Sequence, residues 1–119
     1  MRIVTVVASF ALAAAAVPAS AAIVPGDYLA EGSCPAPNSA YRGTLSIQGN
    51  GLFRTLTWRI GDDTIVGRAM EHDGRLVAEF RFASGETGLI EMSRVGNAWR
   101  GTWSVYGTEV LCTETWTKL

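Results

Sequence analysis

Between its turn signals the chain alternates apolar and polar residues with a period of two. In "YRGTLSIQ", Tyr41, Gly43, Leu45 and Ile47 share one face, and Arg42, Thr44, Ser46 and Gln48 share the other. In "GRLVAEFRF", Leu76, Ala78, Phe80 and Phe82 oppose Arg75, Val77, Glu79 and Arg81. In "AWRGTWSVYG", Trp99, Gly101, Trp103 and Val105 oppose Arg100, Thr102, Ser104 and Tyr106. Successive side chains of an extended strand point to opposite sides, so each segment predicts a strand with one apolar and one wet face.

Turn signals punctuate these segments: "GNG" at 49–51, "GDD" at 61–63, "HDG" at 72–74, "SGE" at 84–86, "GN" at 96–97 and "YGT" at 106–108. Their spacing, about eleven or twelve residues, is that of short strands joined by hairpins, and none of the intervals has room for a crossover helix. Counted from a first strand near Tyr28, the pattern predicts an all-β fold of about eight antiparallel strands in sequential order. Closing the first strand onto the last removes both exposed edges, which favours an up-and-down meander barrel; a β-sandwich is the alternative that the same spacing permits. Gly43, Gly67, Gly88 and Gly101 inside strands fit the sharp coiling of a small barrel.

The first 22 residues, "MRIVTVVASFALAAAAVPASAA", lie outside this pattern. Arg2, an apolar core from Ile3 to Val17 and the small-residue site "ASA" at 19–21 have the order of a secretory signal peptide. The apolar run falls short of the roughly 20 residues of a spanning helix. The expected organisation is therefore a signal peptide at 1–22 and a single β-barrel domain at 23–119, secreted or periplasmic, with no membrane association after cleavage. In an oxidising compartment the only two cysteines, Cys34 and Cys112, are expected to form one disulfide that closes the barrel near its chain ends. A loop of that length corresponds to about 4 kcal/mol of stabilisation by chain entropy.

With its short hairpins, the "WRGTW" strand and a terminal strand "CTETWTKL" carrying a late tryptophan, the chain resembles the calycin type of secreted barrel, avidin-like proteins in particular. The resemblance implies the barrel. It does not imply biotin, because the Asn, Ser, Tyr, Thr and Asp set that holds biotin in avidins has no matching positions here.

The inward faces together collect Tyr41, Leu45, Ile47, Leu56, Trp58, Ile60, Leu76, Phe80, Phe82, Ile90, Met92, Trp99, Trp103, Val110 and Trp116. A barrel of about eight strands is wide enough to be filled by its own side chains or to keep room for one small ligand. So many large residues favour the filled interior, with a ligand cavity as the alternative. Two charged residues share the inward parity: Arg54 in "LFRTLTWRI" and Glu114 in "EVLCTETWTK". Buried, they would have to pair with each other or with a ligand; near a mouth, or turned outward by a bulge, they would be solvated, and this second account is favoured. The candidate ligand-binding residues are Arg54, Trp58, Trp99, Trp103, Glu114 and Trp116.

Charge adds mainly exclusions. Ten Lys and Arg stand against eleven Asp and Glu, and loss of Arg2 with the signal would leave nine against eleven, which gives no footprint for nucleic acid. Two cysteines and one histidine fall short of a zinc site, and no cofactor motif is present. His72 sits in the turn "EHDG", Asp62 and Asp63 are adjacent turn residues, and no nucleophile elbow accompanies them, so catalysis is not expected. Arg42, Arg59, Arg75, Arg81 and Arg100, with Phe53 and Tyr106, populate the wet faces. The expected function is a non-enzymatic binding module for a small apolar or aromatic ligand. The alternative partner is an envelope or extracellular protein, as for an inhibitor of an extracytoplasmic protease or lysozyme, with "CPAPNSA" held extended by its prolines.

Overall fold

The computed structural model describes residues 22–119; the signal-peptide expectation falls on residues outside this range, apart from Ala22. The strands are β1 Gly26–Ser33, β2 Tyr41–Gln48, β3 Phe53–Ile60, β4 Asp63–His72, β5 Arg75–Arg81, β6 Thr87–Val95, β7 Ala98–Val105 and β8 Cys112–Lys118. Each pairs antiparallel with its sequence neighbour, and β1 pairs with β8 from Tyr28↔Lys118 to Ser33↔Thr113, so the sheet closes into an eight-stranded barrel. The sandwich is thereby excluded. Among the described residues no helix is long and apolar enough to cross a membrane.

The local chemistry of the turns explains the hairpins. Between β4 and β5, Asp73 and Gly74 both take positive φ, 52° and 79°, as the tight turn that matches strand twist requires. Up-and-down order sorts the connections to two ends. Residues 49–52, 73–74 and 96–97 lie at one end with the start of β1 and the end of β8, which we call the base; residues 34–40, 61–62, 82–86 and 106–111 lie at the other, the mouth. The Cys34–Cys112 disulfide forms, at the mouth end of the β1–β8 seam.

The alternation holds in register around the ring. Leu45, Ile47, Leu56, Leu76, Ile90, Met92, Trp99 and Trp116 point inward and are buried. Tyr41, Ile60, Phe82 and Trp103 are half-buried, and Val110, also expected inward, is 47% exposed, because β8 begins only at Cys112 and 106–111 is a longer connection than the tight turn expected at "YGT". The loop after β1 also differs from expectation. Rather than standing extended, it folds back on itself: Cys34 N–H donates to Ser39 Oγ at 3.1 Å, the Ser39 hydroxyl donates to the Cys34 carbonyl, and Asn38 turns the chain at φ 55°.

Gly101 is required by close approach. A Cβ there would lie 1.8 Å from the Glu91 carbonyl oxygen of β6, so β7 crosses its neighbour at a distance only glycine allows.

Candidate functional site

Both inward charges are buried, Arg54 at 3% and Glu114 at 4% exposure, which overturns the solvated account; β3 and β8 keep strict alternation with no bulge to turn either outward. They do not pair with each other, because they sit at opposite ends of the barrel.

At the base, Arg54 pairs with Glu71 of β4, Nη2 to Oε1 at 3.2 Å. Its other donors reach the carbonyls of Ile23 (2.9 Å), Gly49 (2.7 Å) and Gly51 (2.9 Å). Ile23 is itself buried and returns its N–H to Glu71 Oε1 at 3.2 Å. The segment before β1 is thus fastened across the base, and the guanidinium has its hydrogen bonds satisfied by protein. Arg54 does not line the interior cavity described next.

At the mouth the interior is not filled. A cavity of about 230 Å³ opens there, lined by Tyr41, Trp58, Ile60, Asp63, Ile65, Phe80, Phe82, Ile90, Trp103 and Glu114. The filled-interior expectation therefore holds for the base half and fails for the mouth half. The reason lies partly in glycine. A Cβ on Gly32 would fall 2.3 Å from the Tyr41 hydroxyl, one on Gly67 2.9 Å from the Trp58 ring, and one on Gly88 2.4 Å from the Phe80 ring. Three aromatic walls are thus seated against bare backbone, which draws them toward the barrel wall and leaves the axis open.

The rings also fix one another. Phe80 stands edge-to-face with Phe82 (centroids 5.6 Å), Trp103 (5.7 Å) and Trp58 (6.3 Å), and Tyr41 with Trp103 (6.2 Å). Glu114 organises the polar side of the cavity. Its Oε2 accepts from the indole N–H of Trp58 at 2.8 Å and of Trp116 at 2.6 Å, and its Oε1 accepts from the Tyr41 hydroxyl, whose oxygen accepts from the Trp103 indole at 2.8 Å. Burial first, then the neighbouring Glu114 charge, pushes the Tyr41 phenol above the usual tyrosine range, so it stays a neutral donor. Among the described residues no buried side-chain polar atom is left unsatisfied.

Of the six candidate residues, Trp58, Trp103 and Glu114 line the cavity. Trp116 is fully buried behind Glu114 and orients it, while Trp99 packs in the filled half, opposite Trp116 in register. Tyr41, Ile60, Asp63, Ile65, Phe80, Phe82 and Ile90 complete the cavity and were not among the candidates. Tyr41 left a signal, a polar group on the apolar parity of β2, but the match to Glu114 in the distant β8 depends on which strands the ring brings together. Among the described residues no group of His, Cys, Asp or Glu is placed to hold a metal ion.

An aromatic cavity with a buried carboxylate, Glu114, and an exposed one, Asp63, at one end of a closed antiparallel barrel defines the class: a small barrel with an interior cavity. No family model matches the chain, and no curated protein sequence does. Solved structures share its fold. A de novo designed fluorescence-activating β-barrel is similar at TM-score 0.60 and 11% identity, over 81% of this chain and 94% of that one. The REP1-NXSQ fatty acid transporter is similar at TM-score 0.54 and 10% identity, over 80% of this chain and 95% of that one.

Proposed function

We propose that this protein is a secreted or periplasmic, non-enzymatic binding module that takes a small apolar or aromatic ligand into its mouth cavity. The observation that carries the reading is the cavity of about 230 Å³ at the mouth of a barrel in which, among the described residues, every buried side-chain polar atom has a partner. An engineered apolar cavity of about 150 Å³ holds benzene, and pockets for drug-sized molecules begin at about 300 Å³, so the volume suits one ring with a small substituent. The two similar barrels, one fluorescence-activating and one a fatty acid transporter, support the reading as architecture only. The avidin-like resemblance belongs to it in the same sense, without biotin. Residues 1–22 support export, and the disulfide suits an oxidising compartment.

The alternative of a protease- or lysozyme-inhibiting loop is less well supported, because residues 34–40 fold back on Ser39 instead of projecting. The test is a titration with single-ring aromatics read by tryptophan fluorescence. Trp58 and Trp103 line the cavity, so binding should shift or quench emission, and Trp103→Ala should alter the response. A full ligand panel that leaves emission and thermal midpoint unchanged would refute the reading.

A further inference from the structure

The charge of the cavity narrows the ligand class, an inference that rests on the reading of the mouth cavity as a ligand site. Glu114 is buried, yet its hydrogen-bond partners, Tyr41, Trp58 and Trp116, are all neutral donors. The ion pairs among the described residues are Arg42–Glu31, Arg54–Glu71 and Arg75–Glu91, and none includes Glu114. No Lys, Arg or His lines the cavity, while a second carboxylate, Asp63, does. Hydrogen bonds from neutral groups solvate a carboxylate but leave its charge uncompensated, and a neutral ligand that displaced water above it would desolvate it further.

The mouth continues the same sign. Its connections, 34–40, 61–62, 82–86 and 106–111, contain Asp62, Glu86 and Glu109 and no basic residue. The arginines of the adjoining strand ends, Arg42, Arg59 and Arg81, are exposed on the outer wall, and Arg42 is engaged by Glu31. An apolar-walled opening rimmed by one sign of charge focuses its field on the entrance. Aromatic rings attract cations through their negative faces, most strongly where water is excluded.

We propose that the cavity binds a small organic cation, an alkyl- or arylammonium, with its head at Glu114 among the Tyr41, Trp58, Phe80 and Trp103 rings. The same carboxylate excludes anionic ligands of equal size, and the acidic rim speeds entry of the cation.

The experiment titrates the full chain with three probes, benzyltrimethylammonium, its uncharged carbon isostere neopentylbenzene, and phenylacetate, by fluorescence and calorimetry. Water holds the cation more strongly than the isostere, so a preference for the cation has to come from the site. The expected result is that the cation binds about tenfold or more tighter than the isostere, the scale of a desolvated cation–aromatic contact. Glu114→Gln should abolish that preference while retaining the isostere. Should that variant fail to fold, Asp63→Asn, at an exposed position, should weaken the cation about two- to threefold, and salt should slow its association in the wild type. Equal or tighter binding of the isostere or of phenylacetate overturns the proposal and leaves the cavity reading standing, as does an Asp63→Asn variant that binds the cation unchanged. A folded wild type that binds none of the three overturns both.

Discussion

Removing one partner of the Arg54–Glu71 pair leaves the other charged and enclosed, with Ile23 losing an anchor at the same time. Arg54→Ala or Glu71→Ala should therefore cost about 3–5 kcal/mol, and a double Arg54→Met, Glu71→Leu variant should cost far less because no charge is stranded. Urea denaturation decides it, and a single-variant loss below about 0.5 kcal/mol would place the pair among surface contacts. Tyr41 gives a second residue-scale outcome. Its folded pKa lies above its unfolded value of about 10, so its contribution is fully present below that pH and is lost as pH rises beyond it. Tyr41→Phe should flatten the alkaline limb of stability against pH, though not abolish it, because burial raises Tyr28 as well. Equal alkaline slopes in both proteins would show that Tyr41 does not govern that limb.

Among the elements, β7 is the strand whose backbone is most constrained by a neighbour. Gly101→Ala would press a methyl group into the Glu91 carbonyl, which cannot move without opening the β6–β7 ladder, so a loss of about 1–3 kcal/mol in unfolding free energy, read by denaturant titration, is expected. If the variant is as stable as the parent, the strands separate there more easily than the register implies. Strands were legible where one face is apolar and the other wet, as in β2, β5 and β7. β4 was harder: it carries Val66 and Met70 on its exposed face and Glu71 on its buried one, so its pattern runs against the rule. That inversion hid the true partner of Arg54. Glu114 showed as a parity anomaly and Tyr41 was read as one of the inward apolar residues, but their union depends on β1 and β8 meeting, which lies beyond any local pattern.

At the scale of the molecule, two devices close the same seam: the β1–β8 ladder along its length and the Cys34–Cys112 bond at its mouth end. Reduction should lower stability by up to about 4 kcal/mol through unfolded-state entropy while leaving the ladder in place. Intact mass with and without reductant establishes the bond, and the shift in denaturation midpoint measures its worth. A collapse of the sheet on reduction would show that the ladder cannot close alone. The barrel is also divided by use, with a packed and ion-paired base that supplies rigidity and an aromatic mouth that keeps its space.

The seam has one more consequence. At the base, the Leu119 N–H donates to the Asp27 carbonyl at 3.0 Å, so the last residue of the chain rests against the first strand. The architecture therefore specifies a cyclic order of strands and not a linear one. A short linker from Leu119 back to the segment before β1 would leave every ladder unchanged, and the chain could then be cut at another hairpin. A cut at the base, at 73–74 or 96–97, would leave the mouth connections whole, so the cavity, the carboxylate and the rim should survive that reordering of the strands.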